Sequence, residues 1–204
     1  MAPRYTACSM PPNLIRAFIA IELPPTIRQQ LEKVVRQFQA QRLTGVRWVA
    51  VNNIHLTLKF LGDSSPHSLE KLTARIEPAA RSVSPFPIQV TGLGAFPNPR
   101  RPRVIWVGLQ APPALAELQK AIEAQAAAVG FSLDARGFSP HLTLGRVQQS
   151  ARGEEVARIS SALAQTQVGL LGEFNAKCVS LFRSDLRPGG AVYTHLAEFP
   201  LKSA

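Results

Sequence analysis

The tetrapeptide His-Leu-Thr-Leu occurs twice in this chain, at residues 55–58 and 141–144. Side chains alternate between the two faces of a β-strand, so each histidine and threonine should share one face while both leucines lie on the other. An imidazole can take up or release a proton at neutral pH because its unperturbed pKa is about 6.5. Two such rings facing one phosphorus atom can therefore accept a proton from an attacking oxygen and donate one to a leaving oxygen. We predict that His55 and His141 are the catalytic pair.

The other polar groups near the two copies suit phosphate binding. The hydroxyls of Thr57 and Thr143 can donate hydrogen bonds to the non-bridging phosphate oxygens, where charge develops during the reaction. Arg146 follows His141 in the same segment, and a guanidinium can hold a phosphate through two parallel hydrogen bonds. Phe18, in the first predicted strand, is interpreted either as a core residue or as a stacking partner for a nucleobase.

Paired histidines can also bind a metal ion, but the local pattern does not favour this use. The sequence has no His-x-His or His-Glu-x-x-His segment, and neither tetrapeptide contains a carboxylate. We therefore predict no metal ion and no cofactor. His67, beside a helix-opening proline, is predicted to lie at the surface, and His195 to be structural.

Composition indicates a globular protein with an anionic partner. The chain has 204 residues, 46% of them hydrophobic, and 23 Lys plus Arg against 13 Asp plus Glu give a net charge of +10. An excess of arginine favours a polyanion such as RNA or DNA. The two cysteines, Cys8 and Cys178, are too far apart to form a thiolate metal motif or a disulfide framework. No apolar run is long enough for a bilayer span or a secretory signal, so we expect a cytoplasmic protein without membrane contact.

The order of predicted elements repeats along the chain. Arg16 precedes His55 by 39 positions and Arg103 precedes His141 by 38, with a Pro-Pro pair after the first strand of each half. We interpret this as a duplicated β-α-β-α-β unit that forms two similar lobes. Residues 1–13 are predicted to be a flexible tail. Residues 14–204 are predicted to be one bilobal domain, with the internal repeat at about 14–95 and 101–200.

Apolar residues at helical spacing predict four helices, which begin near Pro25, Pro66, Pro113 and Gly153. Strands are predicted at 54–61 and 140–147, and residues 131–133 are predicted to be extended. A closing hairpin is predicted from strands 174–183 and 191–199 around residues 187–190. The basic segment 96–103 is interpreted either as a contact for a phosphate backbone or as a stiff connector between the lobes.

Both tetrapeptides and their flanks resemble the 2H phosphoesterase superfamily, which is defined by two His-x-Thr-x motifs. The branch with the greatest similarity is the bacterial and archaeal RNA 2′,3′-cyclic phosphodiesterases, formerly called 2′-5′ RNA ligases. The segments that carry the resemblance are 16–21, 53–62, 96–106 and 138–146, and it extends over residues 14–200.

The resemblance implies an α+β fold of two pseudo-symmetric lobes around a central cleft, each a mainly antiparallel sheet with helices on its outer face. It also implies that the enzyme opens an RNA 2′,3′-cyclic phosphate to a 2′-phosphate without a metal ion. In that reaction His55 would protonate the departing O3′ and His141 would activate water. The expected partners are RNA with 2′,3′-cyclic phosphate ends or small cyclic nucleotides, and we expect a monomer. Two alternatives stay open, namely physiological 2′-5′ RNA ligation and a non-catalytic RNA-binding module.

Overall fold

The fold is that of a computed structural model, which describes residues 13–135 and 137–202. The predicted tail, residues 1–13, lies almost wholly outside the described residues. Within the described ranges there are four α-helices: α1 (Pro25–Ala40), α2 (Pro66–Arg81), α3 (Pro113–Ala128) and α4 (Gly153–Gln165). The strands are β1 (Ile15–Ile21), β2 (Val46–Trp48), β3 (Leu56–Ser64), β4 (Phe86–Phe96), β5 (Val104–Gln110), β6 (His141–Val147), β7 (Leu170–Ala176), β8 (Cys178–Arg187) and β9 (Gly190–Pro200).

All strand pairs in the described chain are antiparallel, and together they form one sheet in the order β7-β4-β5-β6-β3-β1-β8-β9. The first four strands of this order (β7, β4, β5 and β6) form one lobe, and the last four (β3, β1, β8 and β9) form the other. The lobes join between β6 and β3 through the pair Leu56–Leu142, and β2 pairs with the other end of β6. The predicted class, two pseudo-symmetric α+β lobes with antiparallel sheets, is confirmed.

The four predicted helices are confirmed. Prolines occupy the first turns of α1, α2 and α3, where no intrahelical N–H donor is lost. In α2 the Ser65 hydroxyl accepts a hydrogen bond from the backbone N–H of Ser68 at 3.1 Å, which caps the helix. Each helix buries apolar residues in the core, and α1, α2 and α3 pack against β7, β9 and β3, respectively. The buried helix residues of α1 are Ile27, Leu31, Val34, Val35 and Phe38.

The lobes do not coincide with the two sequence repeats. β4, from the first repeat, pairs with β5 of the second, and β8, from the second repeat, pairs with β1 of the first. Each lobe is therefore assembled from both repeats: β2 and β4 of the first repeat pair with β6 and β5, and β8 and β9 of the second repeat lie beside β1.

Three local predictions differ from the structure. Residues 174–183 are not one strand, because the chain leaves β7 at one edge of the sheet and enters β8 in the other lobe. Residues 131–133 form no strand. His55 lies one residue before β3 rather than within it, because a short 3-10 turn at Val51–Asn53 precedes the strand.

Within the described residues, no helix combines the length and the hydropathy that crossing a membrane requires.

Candidate active site

The two His-Leu-Thr-Leu segments meet at the centre of the sheet. Leu56 and Leu142 are paired across β3 and β6 and are 1% and 0% exposed. Because paired residues point to the same side of a sheet and neighbours alternate, the flanking polar side chains lie on the opposite face. We call this side, which carries His55, Thr57, His141 and Thr143, the histidine face.

The two imidazoles are held in the same way. Nδ1 of His55 lies 2.8 Å from the carbonyl oxygen of Asn53, and Nδ1 of His141 lies 2.7 Å from that of Ser139. A carbonyl oxygen only accepts, so Nδ1 carries the proton in each ring. Each neutral ring therefore presents Nε2 as an unprotonated nitrogen, which can accept a proton and later donate it.

Burial controls the protonation of His55. The loss of solvent around the ring lowers its pKa from 6.5 to about 4, and the hydrogen bond to the Asn53 carbonyl offsets only part of this effect. His55 is therefore neutral at pH 7 in the free protein.

His141 responds to burial and to a neighbouring charge. Desolvation is the main cause that lowers its pKa below 6.5, the hydrogen bond to Ser139 raises it, and the positive charge of Arg146 lowers it further. Arg146 also opposes the effect of burial on Tyr193, whose phenol pKa is raised mainly by desolvation. Arg146 is exposed on β6, so its guanidinium is electrostatically coupled to the site and open to a ligand.

Aromatic rings fix the position of His55. Phe18 stacks on the imidazole with ring centroids 4.5 Å apart, and Tyr193 meets the same imidazole edge-on at 5.3 Å. Phe182 stacks on Phe18 at 5.3 Å. Phe18 is only 3% exposed, so its contacts are with protein rings and little of its surface is open to a nucleobase. Phe18 thus packs against His55 within the aromatic cluster.

His141 has an aromatic wall of its own. Phe96 meets its imidazole edge-on with centroids 4.9 Å apart, and Trp106 lies at 6.5 Å. The Trp106 ring lies over Gly94, where a Cβ atom would approach the ring to 2.3 Å. Gly94 therefore makes room for the ring beside His141. The indole Nε1 is buried and has no hydrogen-bond partner among the described residues.

A cross-strand row of residues lies beside each motif histidine, and the two rows differ in chemistry. In the lobe of His55, paired residues on β9, β8, β1 and β3 form an aromatic row: His195, Phe182, Phe18 and Phe60. In the lobe of His141, paired residues on β4, β5, β6 and β2 form a basic row: Phe96, Val104, Arg146 and Arg47. Phe60 and Arg146 are equivalent, since each follows its motif histidine by the same number of residues. The row beside His55 is therefore largely aromatic, whereas the row beside His141 contains two arginines.

The remaining histidines lie away from the motif pair. His67 is exposed in the first turn of α2, and His195 contacts Phe182 edge-on at 5.3 Å and Glu22 at 3.9 Å. Among residues 13–135 and 137–202, no group of three or more His, Cys, Asp or Glu side chains is placed to bind a metal ion.

Several residues of this site were not predicted from the sequence. Three of them are aromatic residues that contact a motif histidine or Phe18: Tyr193, Trp106 and Phe60. The fourth is Asn53, whose Nδ2 donates to the carbonyl oxygen of Ala191 at 2.7 Å and so connects the turn before His55 to β9. The alternation of side chains identifies Phe60 as a neighbour of the histidine face once the bulges between β1 and β3 are known. For Tyr193 the sequence contains no comparable signal, because β9 reaches the site only through its pairing with β8.

The sequence matches a family model over nearly its whole length. The model for "LigT like Phosphoesterase" matches residues 21–106 and again residues 107–193. The two matches follow one another along the chain, as an internal duplication requires.

Named relatives and solved structures agree with this match. An RNA 2′,3′-cyclic phosphodiesterase of Methanothermobacter thermautotrophicus is 33% identical over 190 residues, which covers 92% of this chain and 99% of the relative. A protein of the same name from Archaeoglobus fulgidus is 31% identical, covering 91% and 99%. The crystal structure of TT0787 of Thermus thermophilus has a TM-score of 0.77 at 29% identity, covering 92% and 98%. E. coli LigT complexed with 3′-AMP has a TM-score of 0.74 at 26% identity, covering 94% and 100%.

Proposed function

The chain belongs to the family of LigT-like phosphoesterases, and from this membership we infer that it hydrolyses RNA 2′,3′-cyclic phosphates. Relatives that cover nearly the whole chain carry the name RNA 2′,3′-cyclic phosphodiesterase. The observation that carries the proposal is the Leu56–Leu142 pair, which brings both His-x-Thr motifs to one face of the sheet.

The proposed reaction is an in-line attack of water on the cyclic phosphate. Nε2 of His141 takes a proton from water as its oxygen bonds to phosphorus, and the P–O3′ bond breaks. Nε2–H of His55 gives its proton to O3′, which leaves a 2′-phosphate and a free 3′-hydroxyl. After this step His141 carries the proton taken from water and His55 has lost one, so the total charge is unchanged. His141 then releases a proton to solvent and His55 takes one up, which restores the starting state.

The assignment of His55 as the acid and His141 as the base is supported by their surroundings. The positive charge of Arg146 disfavours a charged His141, which suits a ring that must begin neutral. His55 is disfavoured in its charged form mainly by desolvation. A bound phosphate anion opposes that effect, because a nearby negative charge raises the pKa of an imidazole. In this proposal, substrate binding loads His55 with the proton that it later donates.

The substrate phosphate is bound by Thr57, Thr143 and Arg146. Their O–H and N–H groups donate to the non-bridging oxygens, where negative charge grows in the transition state. We propose that these groups stabilise that negative charge without a metal ion. The terminal base lies against Phe60, whose ring is 60% exposed beside Phe18, since a nucleobase can stack on an open aromatic face.

The test uses single substitutions of the two motif histidines. We expect His55→Ala and His141→Ala each to lower turnover of a nucleoside 2′,3′-cyclic phosphate by about 10²–10⁴-fold, the usual contribution of a general acid or base. Turnover is measured in the presence of a metal chelator, with the product identified as 2′- or 3′-phosphate by ³¹P NMR. His67→Ala, an exposed histidine on α2, is the matched control and should retain activity.

Three outcomes would contradict parts of this proposal. Undiminished turnover in either motif variant would contradict the two-histidine mechanism. If the wild-type protein loses turnover in chelator and added metal restores it, the reaction requires a metal ion. RNA binding by the wild-type protein with no product formed would instead identify a binding module.

A further inference from the structure

Arg47 and Arg146 lie directly opposite each other on β2 and β6. Both side chains are exposed, and paired residues of neighbouring strands point to the same side of the sheet. Like charges in this position repel and destabilise the pair of strands. Within the described part of the chain, no carboxylate forms an ion pair with either guanidinium. Anionic groups bound at these two side chains would relieve the repulsion.

Arg47 lies at the opening between the two lobes. β2 and β3 share one edge of β6, where β3 bridges at Leu142 and β2 pairs with Gly145, Arg146 and Val147. From β2 the Arg47 side chain extends toward the opposite lobe, because its Nη2 would lie 3.9 Å from a Cβ atom built on Gly190 of β9. The guanidinium of Arg47 therefore lies close to the turn between β8 and β9.

The equivalent row in the other lobe has no such charge. Phe60 occupies the position of Arg146, and its row continues through Phe18 and Phe182. Of these two rows, both within the described residues, the arginines Arg146 and Arg47 stand in the row beside His141. This asymmetry sets a direction for a chain of nucleotides, with phosphates on the basic row and the terminal base on the aromatic row.

We propose that Arg47 binds the phosphodiester next to the terminal cyclic phosphate, so that this site acts on RNA chains in preference to single nucleotides. The inference rests on the proposed hydrolysis of cyclic phosphate ends. Arg146, coupled to His141, holds the reacting phosphate, and Arg47 holds the phosphate on the 5′ side of the terminal nucleoside. A guanidinium suits this position because it binds phosphate oxygens bidentately. A nucleoside 2′,3′-cyclic phosphate lacks that second phosphate.

The experiment compares two substrates that differ by that one phosphate. kcat/KM is measured for a nucleoside 2′,3′-cyclic phosphate and for a dinucleotide that ends in the same cyclic phosphate. We expect Arg47→Ala to lower kcat/KM for the dinucleotide by about 10- to 100-fold, as for the loss of one charge-assisted hydrogen-bonded contact. The effect should fall mainly on KM, and the change for the mononucleotide should stay below about twofold.

Two further variants test whether the effect of Arg47→Ala comes from the loss of this phosphate contact rather than from a change in net charge or in folding. Arg81→Ala removes an equal charge from the exposed ion pair with Glu77 on α2 and should affect neither substrate. Arg47→Lys keeps the charge but loses the bidentate geometry, and should give a smaller loss for the dinucleotide alone. The salt dependence of dinucleotide KM should also become shallower in Arg47→Ala, since one phosphate contact is lost.

The possible failures are distinguishable. If the wild-type protein turns over neither substrate, the proposed function is wrong. If it turns over both and Arg47→Ala lowers kcat/KM equally for the two, Arg47 acts on the reacting phosphate and the inference is overturned. Equal activity of Arg47→Ala and wild type on the dinucleotide also overturns it. The thermal midpoints of all variants show whether a loss of activity results from unfolding. If Arg47→Ala is unfolded, the comparison of the two substrates is made with Arg47→Lys.

Discussion

At the scale of single residues, the two motif histidines are neutral rings in a desolvated setting. His55 has its pKa lowered to about 4 and His141 has its pKa lowered as well. General acid–base catalysis needs one ring protonated and the other neutral. In the proposed mechanism, the free protein at neutral pH therefore rarely has one ring protonated and the other neutral, and the bound phosphate anion raises the pKa of the acid.

This argument predicts different pH profiles for kcat/KM and kcat. The profile of kcat/KM reports the free enzyme, in which the acid loses its proton as pH rises through a pKa below 6.5, so its alkaline limb should lie on the acidic side of 6.5. The profile of kcat reports the bound complex, in which the phosphate raises the pKa of the acid, so its alkaline limb should lie at higher pH. Initial rates with a nucleoside 2′,3′-cyclic phosphate between about pH 4 and pH 9 measure both. Alkaline limbs that coincide above 6.5 would show that burial does not control these rings.

At the scale of elements, a buried ion pair joins the strand that follows His55 to a helix. Lys59 of β3 donates from Nζ to Glu123 of α3 at 2.5 Å and to the carbonyl oxygen of Ser132 at 2.6 Å. Glu123 also accepts from the backbone N–H of Asp134 at 2.7 Å. The Lys59 side chain is 3% exposed and that of Glu123 15%. Desolvation makes such a pair costly to break, because the remaining charge keeps no equivalent partner.

We expect Lys59→Met to lower the free energy of unfolding by about 3–5 kcal/mol, the range for removing one partner of a buried pair. The double variant Lys59→Met with Glu123→Leu should recover part of the loss, since no buried charge is then left unpaired. Urea unfolding at pH 7 measures the difference. The control is Arg36→Met, which breaks an exposed pair with Glu32 on α1 and should cost at most about 1 kcal/mol. Similar losses for Lys59→Met and Arg36→Met would show that the Lys59 pair is effectively solvated.

At the scale of the whole molecule, the exchange of β4 and β8 links the two lobes. The His141 lobe needs β4 from the first repeat and the His55 lobe needs β8 from the second. The junction between β3 and β6 is a single residue pair, so direct pairing there contributes little cohesion. The exchanged strands and the shared hydrophobic core link the lobes in addition to this pair.

We therefore predict a single cooperative unfolding transition. Leu118→Ala, at a fully buried position of α3, should lower the free energy of unfolding by about 2–5 kcal/mol and should speed amide exchange in β4 and β5 as well as in β3. Calorimetry and hydrogen exchange measure the two effects. Leu133→Ala, at a position 66% exposed, is the control and should change stability by less than about 0.5 kcal/mol. Two calorimetric transitions, or faster exchange confined to one lobe, would contradict the prediction.

Much of the fold followed from patterns that are local in the sequence. The spacing of Ile27, Leu31 and Phe38 predicted α1, and the prolines at 25, 66 and 113 predicted the helix starts, because these signals act within a few residues. The pairing partners of β7 and β8 did not follow. Strand pairing depends on contacts between distant segments, and the boundary near Lys177 contains no glycine or proline to mark it.

The sequence by itself determined that two His-x-Thr motifs exist, that the chain is duplicated, and that one face of each motif is polar, since these are matters of composition and alternation. Only the tertiary structure decided that Leu56 and Leu142 pair, that strands cross between the lobes, and that Phe18 is covered while Phe60 and Arg47 are open. The physical reason is that burial and register depend on the sum of many distant contacts, whereas alternation along a strand depends only on the backbone.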